Sequence, residues 1–268
     1  MIVQGSSSHT ARKEFEIEGL TKMRLMQFKN RHFRYQTIIC ADVFSGTGSN
    51  EIGGEIIDGS PIKLLNGYSR SNNTERDFLF WFSDVRPRAC EMLEHLIATK
   101  FTHNNLKVSV TPSLASDAIN VLGNALQQMP EAFLYLILDP NGPKDFPKNE
   151  VEDLLSSFPR RVDVVSYISA TTINRCIGAR NKAGMDFKGW LGQIENFDQG
   201  FVSALTLNDR SGWIRKPTLG DAQRWTMLPT FGCMKPHNEW NKQGFVDLES
   251  EEGKNVIKYY CGDIGNKD

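Results

Sequence analysis

The chain has 268 residues, of which 40% are hydrophobic and 24% charged, a composition typical of a globular protein with a sizeable core. Its 31 basic and 32 acidic side chains give a net charge of -1, which excludes a globally basic nucleic-acid-binding protein but leaves a local basic patch open. The five cysteines are scattered, without CxxC pairs or nearby histidines, so we expect no metal site and a reducing compartment. No apolar run approaches the roughly 20 residues of a membrane span, and no signal core follows Met1, which predicts a cytoplasmic protein.

Strand and helix patterns alternate along the first two thirds of the chain. Short apolar runs indicate strands, and the segments between them carry apolar residues at helical spacing. This alternation predicts an α/β fold with a doubly wound, mostly parallel sheet. The predicted strands cover residues 37–43, 77–82, 106–110, 133–138 and 162–168. Three predicted helices cover residues 11–28, 87–100 and 117–129, and two further helices are predicted to begin after Gly59 and after Pro147.

The last hundred residues have a different character. Two aromatic and basic segments, 211–217 and 223–228, flank turn-forming residues and predict paired antiparallel strands, and residues 249–260 predict a final helix. No repeat or low-complexity linker separates this part, so we expect one domain over residues 1–268. Its predicted parts are an N-terminal helical segment, 1–36, a core, 37–170, and an elaborated portion, 171–268, that is a candidate for substrate recognition.

A glycine-rich turn directly follows the first predicted strand. Asp42 closes the strand, and Gly46 and Gly48 allow the backbone to approach a ligand closely. The second strand ends at Asp84 and the fourth at Asp139, and parallel strands present their carboxyl ends at one edge of a sheet, where ligands bind. Each signal alone is weak, because an aspartate after a strand is commonly a helix cap. Together they predict a nucleoside-cofactor site.

The turn also discriminates between cofactors. A dinucleotide fingerprint needs a third glycine, but Glu51 stands at that position, and no GxxxxGK[ST] phosphate loop occurs. An acidic residue in the turn would repel a diphosphate, whereas S-adenosylmethionine carries a cationic sulfonium and amine that suit Asp42. The electrostatics therefore favour the methyl donor.

Six short motifs, in order along residues 9–170, resemble the three-Cys-motif partner (TcmP-like) family, which is similar to class I S-adenosylmethionine-dependent methyltransferases. The motifs are His9-Thr10 with Lys13, the turn at 42–48, Gly59-Ser60-Pro61, Phe82-Ser83-Asp84, Ser116-Asp117-Ala118 and residues 139–144.

The resemblance implies a Rossmann-like, three-layer αβα methyltransferase fold, with a mostly parallel seven-stranded sheet ending in a C-terminal antiparallel hairpin. It also implies that the turn and the ends of the neighbouring strands hold the cofactor. The cofactor-binding residues are then Asp42, Phe44, Gly46, Gly48, Asp84 and Val85, with Asp117 near the adenine.

The Asp139-Pro140-Asn141 turn suggests a catalytic role. In enzymes that methylate an exocyclic amino group of a base, a similar turn accepts the amino hydrogens through a side-chain oxygen and a backbone carbonyl. Here Gly142 replaces the aromatic residue that would stack on an extruded base. A ring from elsewhere could substitute, although such rings more often pack in a core; the candidates are Tyr167, Trp190, Trp213 and Trp225.

The sequence thus predicts methyl transfer to a base amino group, with adenine favoured and DNA as the expected partner. A protein partner stays open, and no metal or membrane is expected. Two alternatives also stay open: a noncatalytic cofactor- or partner-binding module, and a transferase acting on protein or a small molecule. Scattered basic residues provide either a phosphate-contacting face or a solvated surface; they are Arg86, Arg88, Arg160, Arg161, Arg175, Arg180, Lys182 and Lys188.

Overall fold

A computed structural model describes residues 4–5, 8–102, 106–140, 145–169, 211–216, 225–231 and 244–261. The chain divides into two compact units, Met1–Leu136 and Ile137–Asp268. The single domain over residues 1–268 therefore stays a prediction. Within the described ranges, no helix combines the length and the apolar character needed to cross a membrane.

The first unit alternates strands and helices, and a small separate sheet is added to this pattern. Its elements are β1 (Gln4–Gly5), α1 (Ser8–Gln27), β2 (Thr37–Asp42), β3 (Ser49–Ile52), β4 (Glu55–Asp58), α2 (Ser60–Ser71), β5 (Asp77–Asp84), α3 (Pro87–Lys100), β6 (Lys107–Pro112), α4 (Ala115–Gln128) and β7 (Ala132–Leu138), whose last two residues belong to the second unit.

The main strands of this unit lie in the order β7-β2-β5-β6. Strands β2 and β5 are parallel with Asp42 opposite Phe82, and β5 and β6 are parallel with Asp84 opposite Pro112. Strand β7 is buried along its whole length, as expected for a central strand covered on both faces. The carboxyl ends of β2, β5 and β6 consequently share one edge of the sheet.

Helix packing in the first unit follows from apolar faces and from one close approach. Tyr68 of α2 packs against Phe78 and Phe80 of β5, with ring centroids 4.7 and 5.2 Å apart. Helices α1 and α2 pack closely where Gly67 faces Thr21, since a Cβ on Gly67 would lie 2.9 Å from Thr21 Cβ. The sequence has glycine there because a side chain would separate the helices.

The small sheet of the first unit was not predicted. It contains β1, β3 and β4, with β3 and β4 forming an antiparallel hairpin and β1 pairing in parallel with β3. The hairpin turns at Gly53 and Gly54, whose φ values of +59° and +88° are in the left-handed region. Two glycines between short strands are a recognised hairpin signal, so this signal was present in the sequence.

The second unit contains an antiparallel extension. Its elements after β7 are α5 (Lys148–Ser157), β8 (Val162–Ser169), β9 (Ser211–Arg215), β10 (Trp225–Phe231), β11 (Phe245–Asp247) and α6 (Glu251–Cys261). Strand β10 pairs antiparallel with both β8 and β9, and β11 pairs antiparallel with β9.

The predicted α/β class, a mostly parallel sheet flanked by helices with an antiparallel addition, is confirmed. The predicted elements have bounds within three residues of the observed ones. The addition contains β11 as well as the predicted hairpin, because a three-residue strand is too short to leave a periodic pattern. The predicted turn at Gly220 and Asp221 lies outside the described residues.

The close approach of α1 and α2 predicts opposite effects for two glycine substitutions. Gly67→Ala should lower the free energy of unfolding by about 1–3 kcal/mol, because the new methyl group overlaps Thr21. Gly19→Ala, on the exposed face of α1 with no atom within 4 Å, should raise it by about 0.5–1 kcal/mol through helix propensity. Urea denaturation measures both, and a stabilised Gly67→Ala variant would contradict the packing argument.

Candidate functional site

Two buried aspartates end neighbouring parallel strands of the first unit. Asp42, at the end of β2, is fully buried, and Asp84, at the end of β5, is 6% exposed. Burial of a charged carboxylate is costly unless hydrogen-bond donors surround it. For Asp42, the backbone N–H of Phe44 donates to Oδ1 over 2.9 Å, which bends the chain into the glycine turn.

The glycine turn is tied to the end of β5. The backbone N–H and the hydroxyl of Ser45 both donate to the carbonyl of Ser83, each over 2.9 Å. The N–H of Gly46 donates to Oδ2 of Asp84 over 3.1 Å. The turn that follows β2 therefore donates a hydrogen bond to the carboxylate that ends the neighbouring strand, β5.

Glycine is required at two positions of this turn. Gly46 and Gly48 have φ values of +56° and +75°, in the region that L side chains rarely adopt. A Cβ on Gly48 would also lie 2.5 Å from a methyl carbon of Leu93 in α3. The backbone conformation and the packing therefore require glycine here, and the approach of a ligand to these glycines stays a prediction.

The small hairpin is inserted between the turn and the helix that follows it. The N–H of Gly59 donates to the carbonyl of Gly48 over 2.8 Å, so the chain returns to the turn after β4, and α2 begins at Ser60. A Cβ on Gly59 would lie 3.1 Å from the carbonyl carbon of Gly48. Glu51, which replaces the third glycine of a dinucleotide fingerprint, is an exposed residue of β3.

Asp84 forms a two-pronged ion pair with Arg86. Oδ1 of Asp84 accepts hydrogen bonds from the backbone N–H and from Nε of Arg86, over 2.9 and 2.8 Å, and Oδ2 accepts one from Nη2 over 3.1 Å. Burial alone would raise the pKa of Asp84, but these hydrogen bonds and the one from Gly46 outweigh it, so the pKa lies below its usual value. The side-chain hydrogen bonds to Asp84 raise the pKa of Arg86.

Exposed apolar side chains flank Asp84. Val85, which follows it directly, is 60% exposed, and Leu114, between β6 and α4, is 55% exposed. The loop before α4 is tied to Asp84, because the N–H of Ser113 donates to the Asp84 carbonyl over 3.1 Å. Asp117 lies in the first turn of α4, where a negative charge is favourable. Leu114 was missed in the sequence, where no apolar periodicity marks a single loop residue.

The proposed catalytic turn belongs to the second unit. Asp139 and Pro140 follow β7 directly and are half-buried, and Asn141 lies outside the described residues. Among the candidate stacking rings, Tyr167 of β8 is half-buried. Trp213 of β9 is buried and donates from Nε1 to Ser211 Oγ over 2.8 Å, which is a packing role. Trp190 and the side chain of Trp225 lie outside the described part.

Within the described residues, neither the thiols nor the acidic side chains add a further site, and the basic candidates Arg175, Arg180, Lys182 and Lys188 lie outside that part. Burial raises the pKa of the Cys40 and Cys90 thiols, which disfavours the thiolate that a nucleophile needs. Among the described residues, no group of three or more His, Cys, Asp or Glu side chains could hold a metal ion. A cavity of about 510 Å³ between α3 and β6 is lined mainly by apolar residues such as Ile97 and Val108, and contains none of the predicted cofactor residues.

No family model and no curated protein matches the chain, so the resemblance to the three-Cys-motif partner family stays a prediction. Three solved structures illustrate what it is similar to. The plantazolicin methyltransferase BamL, in complex with a triazolic desmethylPZN analog and SAH, is 10% identical to this chain. The match covers 97% of this chain and 81% of the BamL chain, with a TM-score of 0.41. The METTL16 MTase domain is 13% identical, covering 83% and 67%, with a TM-score of 0.40. The SAH-bound methyltransferase PaMTH1 of Podospora anserina is 11% identical, covering 81% and 86%, with a TM-score of 0.39. At such low similarity, function has to be argued from the side chains themselves.

The lowered pKa of Asp84 predicts a loss of stability in acid. A carboxyl group whose pKa is lower in the folded chain stabilises the fold above its unfolded pKa of about 3.9 and loses that contribution as the pH falls through the folded value. Below about pH 4, the free energy of unfolding of the wild type should therefore fall more steeply than that of Asp84→Asn in urea denaturation. Asp77→Asn, at the exposed start of β5, is the control and should follow the wild type. Parallel curves for the wild type and Asp84→Asn would contradict the assignment.

Proposed function

We propose that the chain is an S-adenosylmethionine-dependent methyltransferase whose first unit binds the cofactor. The observation that carries this proposal is the pair of buried carboxylates, Asp42 and Asp84, that end adjacent parallel strands on either side of a glycine turn. The acidic group at the start of the turn, Asp42, suits a cofactor with a cationic sulfonium and amine and would repel a diphosphate at the same place.

The residues around Asp84 suit an adenosyl group. A carboxylate such as Asp84, at the end of β5, can accept hydrogen bonds from both ribose hydroxyls. Val85 and Leu114 offer exposed apolar surface on which an adenine ring can lie, and Asp117 offers an acceptor for its amino group. At Gly46 the absent side chain leaves the backbone accessible to the methionine part, and Gly48 contributes the left-handed turn beside it, while Leu93 fills the position that a side chain on Gly48 would take.

Asp139 and Pro140 are proposed to orient the methyl acceptor. Bound S-adenosylmethionine supplies an activated methyl group on its sulfonium. The Asp139 carboxylate and the Pro140 carbonyl would each accept a hydrogen from an exocyclic amino group, which frees the nitrogen lone pair to attack a methyl donor. Positioning of this kind supplies much of the rate in transfer reactions. A nucleic-acid base, with adenine favoured and DNA the expected carrier, is the proposed acceptor.

Cofactor binding is tested by isothermal titration calorimetry with S-adenosylmethionine. Asp84→Asn should weaken binding by about tenfold to a hundredfold, because a charged acceptor contributes about 1.5–3 kcal/mol to each hydrogen-bonded partner. Asp77→Asn, an exposed aspartate on the same strand, is the matched control and should bind as the wild type does. No detectable binding by the wild type would remove the enzyme proposal and leave a binding module for another partner.

The catalytic turn is tested with labelled methyl donor and DNA or RNA as acceptors. Asp139→Ala should lower kcat by about a hundredfold to a thousandfold while cofactor affinity is unchanged, since the lost acceptor acts on the amino group. Asp139→Asn, which keeps an acceptor oxygen, should lose less. Undiminished transfer by Asp139→Ala would show that the assigned role is wrong, and transfer to protein or small molecules alone would identify the other acceptor class.

A further inference from the structure

The acceptor capacity of the Asp84 carboxylate is filled by donors from the protein itself. Oδ1 accepts from the backbone N–H and the Nε of Arg86, and Oδ2 accepts from the N–H of Gly46 and the Nη2 of Arg86, all within 2.8–3.1 Å. An ionised carboxylate offers about four lone-pair positions. None of the four is left for a ligand.

Two of these four donors are fixed and two can leave. The N–H groups of Gly46 and Arg86 belong to the backbone of the turn and of the residue that precedes α3, and the turn is further tied to Ser83 by Ser45. The guanidinium, in contrast, lies at the end of a side chain that is 47% exposed. Because the side chain of Asp84 is only 8% exposed, the guanidinium can leave when a ligand supplies donors in its place.

The guanidinium also lies over the glycine turn. Nη2 of Arg86 is 3.8 Å from the position that a Cβ on Gly46 would occupy. The guanidinium therefore fills the space beside Gly46 as well as two acceptor positions of Asp84.

We propose that Arg86 is an internal competitor of the cofactor, and that the two ribose hydroxyls displace its Nε and Nη2 donors from Asp84 one for one. This inference rests on the proposed function, since it takes the ligand to be an adenosyl compound. A vicinal diol has two donors and replaces both guanidinium hydrogen bonds, whereas a single hydroxyl would leave one acceptor position without a donor. Arg86 thereby sets how tightly cofactor and product bind.

The test measures the affinity for S-adenosylhomocysteine by calorimetry. Arg86→Met keeps the length of the side chain but removes its donors, so the hydroxyls no longer displace a partner, and it should bind about three- to tenfold more tightly than the wild type. Arg86→Lys keeps the charge without the planar fork and should lie between the two. Arg88→Met, which removes an exposed arginine in the first turn of α3, two residues after Arg86, is the control and should leave the affinity unchanged.

Two outcomes separate this inference from the proposed function. The inference alone is overturned if the wild type binds S-adenosylhomocysteine and Arg86→Met binds it no more tightly, provided that thermal unfolding shows the variant to be folded. Absence of binding in every variant overturns the proposed function and the inference with it. The wild type supplies an independent readout, because the ¹⁵N resonance of Arg86 Nε should shift on addition of S-adenosylhomocysteine; an unshifted resonance in a saturated sample also overturns the inference.

Discussion

The parallel pairing of β2 with β5 is the constraint from which the candidate site follows. It brings the turn that follows Asp42 and the last residues of β5 to the same edge of the sheet. The turn therefore has to leave β2 without covering the end of β5. The two hydrogen bonds from Ser45 to the Ser83 carbonyl fix the turn in that position. Because those bonds hold the turn down, the N–H of Gly46 points at Asp84 rather than at solvent.

The same constraint accounts for the glycines and for the inserted hairpin. A turn held this closely has to reverse within a few residues, and the left-handed φ values of Gly46 and Gly48 provide the reversal. The chain then leaves through β3 and β4 and returns at Gly59, where a Cβ would make an unusually tight contact with the backbone of Gly48. The insertion is therefore accommodated without moving the start of α2 away from the turn.

Local signals predicted the elements that depend on local physics. Helix α3 was predicted with its observed bounds, because Pro87 favours the first turn of a helix and the buried Leu93 and Ile97 mark its inner face. The positions of Asp42 and Asp84 at the ends of strands were predicted because each aspartate follows an apolar run. The sequence could not predict the pairing of β1 with β3, which joins segments far apart in the chain, or the ion pair of Arg86, which depends on a side-chain rotamer. The interpretation of Arg86 as one of many surface cations missed its partner two residues away.

A buried carboxylate that is to accept ligand hydroxyls needs donors while the ligand is absent. Without them, the burial of Asp84 would raise its pKa, and the protonated acid would accept hydrogen bonds less well. Backbone donors alone, from Gly46 and Arg86, fill half of its lone-pair positions. The Arg86 guanidinium fills the rest and lowers the pKa of Asp84 further, and its exposure keeps it replaceable. The contact that competes with a ligand is thus also the contact that satisfies the buried carboxylate while no ligand is bound.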